Sequence, residues 1–274
     1  MARDVLTVRR VRFEYPPDAN PLWNRRFPEF AFAANGISLL MPYAEPYFVR
    51  SIRAVVPQLG EPLKSRTEDF LRQEMQHQRQ HRRFNDIIAT NYRGVPRLER
   101  SIRRTYGWLS RTRSQRFNLA FAAGSETIAF SLARWTDRHI GQLFVGADPV
   151  PATMYLWHLA EEVEHKSVAF DVYEAVDGSR LRYAVAIVVS LLILMWFVWL
   201  ASLVMLYNTG RLFSPVAHLR LIKWSVSLGM TMLPTMAASA LPGHHPEHFA
   251  DPEFLSAWLR QYDPINETMP LWQG

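Results

Sequence analysis

The sequence predicts an all-α protein: a four-helix bundle extended by one or two hydrophobic helices. Three observations support this. Four long segments carry apolar residues at intervals of three and four, the period of an amphipathic helix. No segment shows the sustained alternation of a half-buried strand, and no repeat or low-complexity tract intervenes. Residues 183–207 hold no charged side chain at all. At about 1.5 Å per residue that run is long enough to cross a bilayer core of about 30 Å.

Composition narrows the field. A 274-residue chain that is 49% hydrophobic can bury a real core, so global disorder is excluded. The formal net charge is +6, nearly all from arginine, with lysine only at Lys64, Lys166 and Lys223. No basic stretch interleaves with aromatics as a nucleic-acid platform would, so an anionic membrane surface is the better match for the charge. The absence of cysteine removes disulfides, thiol nucleophiles and thiolate-held metals, leaving carboxylate and imidazole as the donors for any metal. The first residues lack an apolar core segment, so no secretory signal is expected and the bundle should face the cytosol.

Taken in order, residues 1–35 read as an irregular basic leader, interrupted by Pro16, Pro17, Pro21 and Pro28, with one short strand near residues 7–15. The bundle is expected over residues 36–179. Its first helix covers residues 38–58, with Met41, Glu45, Phe48 and Ile52 on one stripe. The second opens after Pro62 and closes at Gly94 and Pro96. The third spans residues 97–141, broken near Gly107 or Gly124, with Leu119, Ala122, Glu126 and Phe130 on its best stripe. After a turn at residues 148–151, the fourth runs over about 152–176 and ends at Asp177-Gly178. Residues 180–241 hold the hydrophobic helices: the uncharged run flanked by Arg180, Arg182 and Arg211, then residues 224–241, which complete a hairpin or lie in the interface. Residues 242–274 form a peripheral tail.

Chemistry concentrates on the second and fourth helices. Glu74-Met-Gln-His77 and Glu162-Val-Glu-His165 are both Glu-x-x-His, a spacing that points both side chains the same way. Two such pairs plus one Glu from each of two further helices make the ligand set of a dinuclear carboxylate centre in a four-helix bundle. Glu45 and Glu126, each alone in an apolar stripe, supply the remaining carboxylates. Four carboxylates aimed into one core require a cation, because a buried unpaired charge is strongly unfavourable. His158 lies one turn before Glu162 and is read as a third imidazole ligand, or else as a donor to a ligating carboxylate. His81 and Asp171 are candidates for that outer supporting role. Glu161 and Glu164 are expected to point elsewhere, paired with Lys166 and nearby arginines at little energetic consequence.

Three runs carry a family resemblance: Met41-Pro-Tyr-Ala-Glu45-Pro-Tyr-Phe-Val-Arg50, Gln73-Glu-Met-Gln-His77, and residues 157–171 around His158, Glu162, His165 and Asp171. Together they resemble the bacterial family catalogued as predicted metal-dependent hydrolases, over roughly residues 7–265. In ligand spacing alone the chain also resembles the ferritin-like di-iron oxygenases of the p-aminobenzoate N-oxygenase group, whose last ligand helix carries His-x-x-x-Glu-x-x-His. These resemblances imply a ferritin-like bundle holding two iron ions, or manganese or another divalent metal. The expected function is a membrane-associated non-haem di-iron oxidase or oxygenase acting on an organic substrate, with an electron donor as partner. A hydrolase using a metal-activated water is the alternative, and a non-catalytic metal-binding membrane protein the second. The hydrophobic run makes a lipophilic substrate and the inner membrane, bundle on the cytosolic side, the matching expectations.

Overall fold

The computed structural model describes residues 6–274 and is all-helical, without a β-strand among them. Residues 1–5 of the expected leader lie outside the described part. Five helices form the lower chain: α1 (Pro28–Arg53), α2 (Leu63–Asn91), α3 (Val95–Thr112), α4 (Gln115–Leu143) and α5 (Pro149–His165). They are followed by α6 (Val168–Val176), α7 (Arg180–Asn208), α8 (Pro215–Ala240) and α9 (Glu253–Leu259). The helices α1, α2, α4 and α5 surround one core, and α7 closes it along α1 and α4.

Several element limits differ from the sequence expectation, each for a local reason. The strand expected near residues 7–15 does not form. The segment is extended nonetheless, with Arg9, Val11 and Phe13 buried on one side, and it lies against the bundle as a strap. The Phe13 N–H donates to Gln80 and the Thr7 carbonyl accepts from Gln73, so helix side chains take the place of a partner strand. Helix α1 starts at Pro28, where proline suits a first turn, ten residues before the expected onset.

One expected break moves, and one that was not expected appears. The chain is interrupted not at Gly107 or Gly124 but between α3 and α4, where the Ser114 hydroxyl caps α4 by accepting from Phe117 N–H. Gly124 serves packing instead, since a Cβ there would meet the Ile187 backbone of α7 at 2.9 Å. Gly36 plays the same part on α1, where a Cβ would come within 3.0 Å of Val198 Cα. The single helix expected over 152–176 is two, α5 and α6, separated at Lys166–Ser167.

Helix α7 has a mean hydropathy of 2.7 over its most apolar window and is long enough to cross a bilayer, but it is also a wall of the bundle, with a third of that window buried. Helix α8 begins well before residue 224 and carries Arg220 and Lys223, and α7 is the one described helix that meets the length and composition of a span. The residues after 242 are less peripheral than expected. Leu255, Trp258 and Leu259 of α9 are buried, and α9 packs on α5.

Candidate metal centre

Each core helix brings chemistry to the same place. Helix α1 presents Glu45; α2 presents Glu74, His77 and His81; α4 presents Glu126; α5 presents His158, Glu162 and His165. The seven residues read as ligands are all at least 93% buried, and they converge. His165 Nδ1 lies 3.0 Å from Glu74 Oε1, 3.8 Å from Glu126 Oε2 and 3.9 Å from Glu162 Oε1. His77 Nδ1 lies 3.8 Å from Glu74 Oε1 and 3.7 Å from Glu162 Oε1. His158 Nε2 is 2.8 Å from Glu162 Oε1 and 3.6 Å from Glu45 Oε1. Glu162 is therefore common to all three imidazoles.

The outward nitrogens of these rings fix where their protons sit. Gln73 donates its amide to the Thr7 carbonyl and Glu164, so its oxygen can only accept, and it faces His165 Nε2 at 2.8 Å. His165 thus carries its proton on Nε2. His77 Nε2 meets Glu161 at 2.8 Å, and Arg9 holds that carboxylate from behind at 2.9 Å. His158 is fixed by a longer chain. Pro42 has no N–H, which frees the Ser38 carbonyl one turn earlier, and Asn85 donates to it at 2.8 Å. The Asn85 oxygen must then accept from Ser38 Oγ, Ser38 Oγ from His81 Nδ1, and His81 Nε2 from His158 Nδ1.

The consequence is the same three times. In its neutral form each imidazole turns a bare lone pair inward, at carboxylate oxygens 2.8–3.9 Å away. Lone pairs on both sides of such gaps repel unless a cation or proton lies between them. Most of the buried side-chain atoms without a hydrogen-bond partner among the described residues lie at this spot: both Glu45 oxygens, Glu74 Oε1, His77 Nδ1, Glu126 Oε2, Glu162 Oε2 and His165 Nδ1. Burial, and then repulsion from Glu74 and Glu162, pushes the Glu45 carboxyl well above the usual range. Glu126 is raised for the same reasons. These are the features of a site that fits metal ions, in oxygen and nitrogen donors alone.

Two groups of donor atoms each lie within 4.8 Å of one another: Glu74, His77, Glu162 and His165, and a second of Glu45, His81 and His158. His81 belongs to the second by distance only. Both of its nitrogens are taken, by His158 and Ser38, so it braces the His158 ring. Asp171 does not support the cluster. It accepts from His245 at 2.7 Å and from Arg66 at 3.4 Å, because the break after His165 carries α6 away from the α5 column.

The expectation for Glu161 and Glu164 holds for an arginine partner and is corrected for Lys166 and for the placing of Glu161. Glu161 is fully buried against His77, and Arg9 of the strap pairs with both acids. Lys166 pairs instead with Asp251 and Glu247. The supporting residues Gln73, Glu161, Arg9, Ser38 and Asn85 escaped the sequence reading. Three acids within four positions of a buried helix were the available signal for Glu161, and the buried Arg9-Val11-Phe13 alternation for Arg9.

A helical bundle enclosing a buried His/Glu cluster of this kind defines a protein able to hold divalent metal ions. The chain belongs to the family described as predicted metal-dependent hydrolase, whose match covers residues 7–249 and so includes every member of the cluster. No curated protein and no solved structure matches it. The resemblance to ferritin-like di-iron oxygenases is therefore unsupported beyond ligand spacing.

Proposed function

We propose that the protein is a metal-dependent hydrolase whose centre takes two divalent ions. Glu74, His77 and His165 would hold one ion and Glu45 and His158 the other. Glu162 would be shared between them, and Glu126 would add a carboxylate oxygen. The inward lone pairs of three tautomerically fixed imidazoles carry this reading. When bound, two such ions would supply a hydroxide at neutral pH and polarise a carbonyl oxygen.

The rest of the work falls to the chain. Gln73, Glu161 and His81 orient the three rings through their outer nitrogens, a role whose loss typically lowers metal affinity 10–100-fold. Arg9 neutralises the two acids behind His77. Walls from α1, α4 and α7 limit water on the open side of the cluster, which strengthens every charge interaction inside it. The outer faces of α7 and α8 expose Val185, Val188, Leu192 and Trp196, and Leu219, Ile222, Val226 and Met230. We place that apolar surface against a membrane.

Hydrolysis of a panel of carboxylic esters and amides by metal-loaded protein is the direct test. Activity should disappear with chelation and return with added metal. Turnover unaffected by chelation would end the proposal. A second reading, oxygen-dependent oxidation of an organic substrate by two iron ions with an external electron donor, is favoured by one observation: two Glu-x-x-His pairs and two lone Glu on four helices. Anaerobic reduction followed by oxygen exposure separates the two, since a spectral change dependent on O₂ belongs to oxidation alone.

A further inference from the structure

A cavity of about 180 Å³ opens directly onto the cluster. Its inner end is formed by Glu45, Glu126, His158 and Glu162. From there it follows α1 backwards through Met41, Ile37, Ala34 and Phe30, always on the same helical face. From Glu45 back to Phe30 the helix rises about 22 Å. Leu194 and Val198 of α7 and Trp224 and Leu228 of α8 form the opposite wall, behind the exposed apolar faces of those helices.

Shape and chemistry select the occupant. A dry cavity of about 150 Å³ accommodates a benzene-sized molecule, so a similar volume drawn out over some 22 Å is a narrow bore. A linear hydrocarbon chain suits that path along α1. The wall is largely apolar, and three of its hydroxyls are already engaged: Ser125 bonds the Phe121 carbonyl and Ser190, and Ser202 bonds the Val198 carbonyl. Its carboxylates and imidazoles all lie at the inner end. A ligand for this site is therefore apolar along its length and reactive at one end.

We propose that the cavity binds the hydrocarbon chain of a fatty acyl ester, with the carbonyl at the cluster and the chain running along α1 behind α7 and α8. This rests on the hydrolase reading for its reacting end and on the cavity for its chain. The reaction adds the O–H of water to the acyl carbon, breaks the acyl C–O bond and passes the remaining proton to the leaving alkoxide. No oxidant or reductant is required.

Binding and turnover test the two parts separately. Calorimetry of the metal-loaded full chain with butanol, hexanol, octanol and decanol reads the cavity alone, since an alcohol has no bond to hydrolyse. Affinity should rise with length, by up to about fourfold per methylene. Ala34→Phe, about 16 Å from Glu45 along α1, should abolish that rise for the longer alcohols while metal content and melting temperature stay near wild type. If Ala34→Phe fails to fold, Leu228→Phe on α8 serves the same purpose. Decanol presented in phosphatidylcholine vesicles or as dispersed monomer separates a membrane source from a soluble one, and saturable binding from either supports the proposal. Equal affinity for butanol and decanol would overturn it, as would an undiminished length dependence in a folded variant. Decanol binding without hydrolysis of a decanoyl ester would sink the hydrolase reading and spare the chain site. Acetyl and decanoyl esters cleaved with equal kcat/KM would do the reverse.

Discussion

At the scale of the residue, protons decide the behaviour of the centre. Without metal, burial and neighbouring acids raise Glu45 and Glu126 well above the ordinary 4.5. Burial opposes a proton on His165, but Glu74 and Glu162 outweigh it and raise that imidazole to about 9. His77 is lowered well below 6.5, by burial first and then by the neighbouring histidines. Groups with raised folded pKa stabilise the fold below their unfolded value and lose that stabilisation as pH rises through the folded one. His77 acts in the opposite sense only up to about 6.5. Metal-stripped protein should therefore lose thermal stability from pH 6.5 towards about 9, a loss that metal-loaded protein escapes. Melting curves of both forms across that window check this, and parallel profiles would contradict it. Glu161→Gln should lower metal affinity by about 10–100-fold while leaving the fold intact, as read by competition with a chelator.

The two Glu-x-x-His pairs were legible because an i, i+3 spacing fixes direction on any helix, and Glu45 and Glu126 because each interrupts an apolar stripe. Gln73, Glu161, Ser38 and Asn85 were not. Their role depends on which helix faces them across the core, and a single helix's periodicity carries no such information. Asp171 failed for the related reason that α5 and α6 are not one helix.

At the scale of the element, α7 is positioned by glycine. Gly124 lets the backbone of α4 approach it to a distance no side chain allows, and Gly36 lets α1 come nearly as close. Gly124→Val should destabilise the fold by about 1–3 kcal/mol, the usual cost of overpacking, seen as a lower denaturant midpoint with unchanged slope. No shift in the midpoint would show that α7 is free to move outward. The strap before α1 is a second element whose importance is tertiary. Its alternating burial resembles a strand, but its partners are Gln73, Gln80 and Glu161, so it is ordered by helix side chains.

At the scale of the whole molecule, charge and hydrophobicity are divided between two faces of one bundle. The acids and imidazoles of the cluster are enclosed between α1, α2, α4 and α5, and most of the exposed large apolar residues lie on α7 and α8, with the cavity lying between the two regions. Helical class and the apolar run were readable from period and length alone. That the run is a wall of the bundle was not, because burial by α1 and α4 and burial by lipid select the same residues.

The proposed function requires two divalent ions within the four-helix core. Metal analysis of purified full-length protein, alongside Glu126→Ala, tests it most directly. The prediction is about two ions per wild-type chain, and fewer in Glu126→Ala at equal folded fraction by circular dichroism. A wild-type chain that folds and takes up no metal, or holds the same amount in Glu126→Ala, would contradict it.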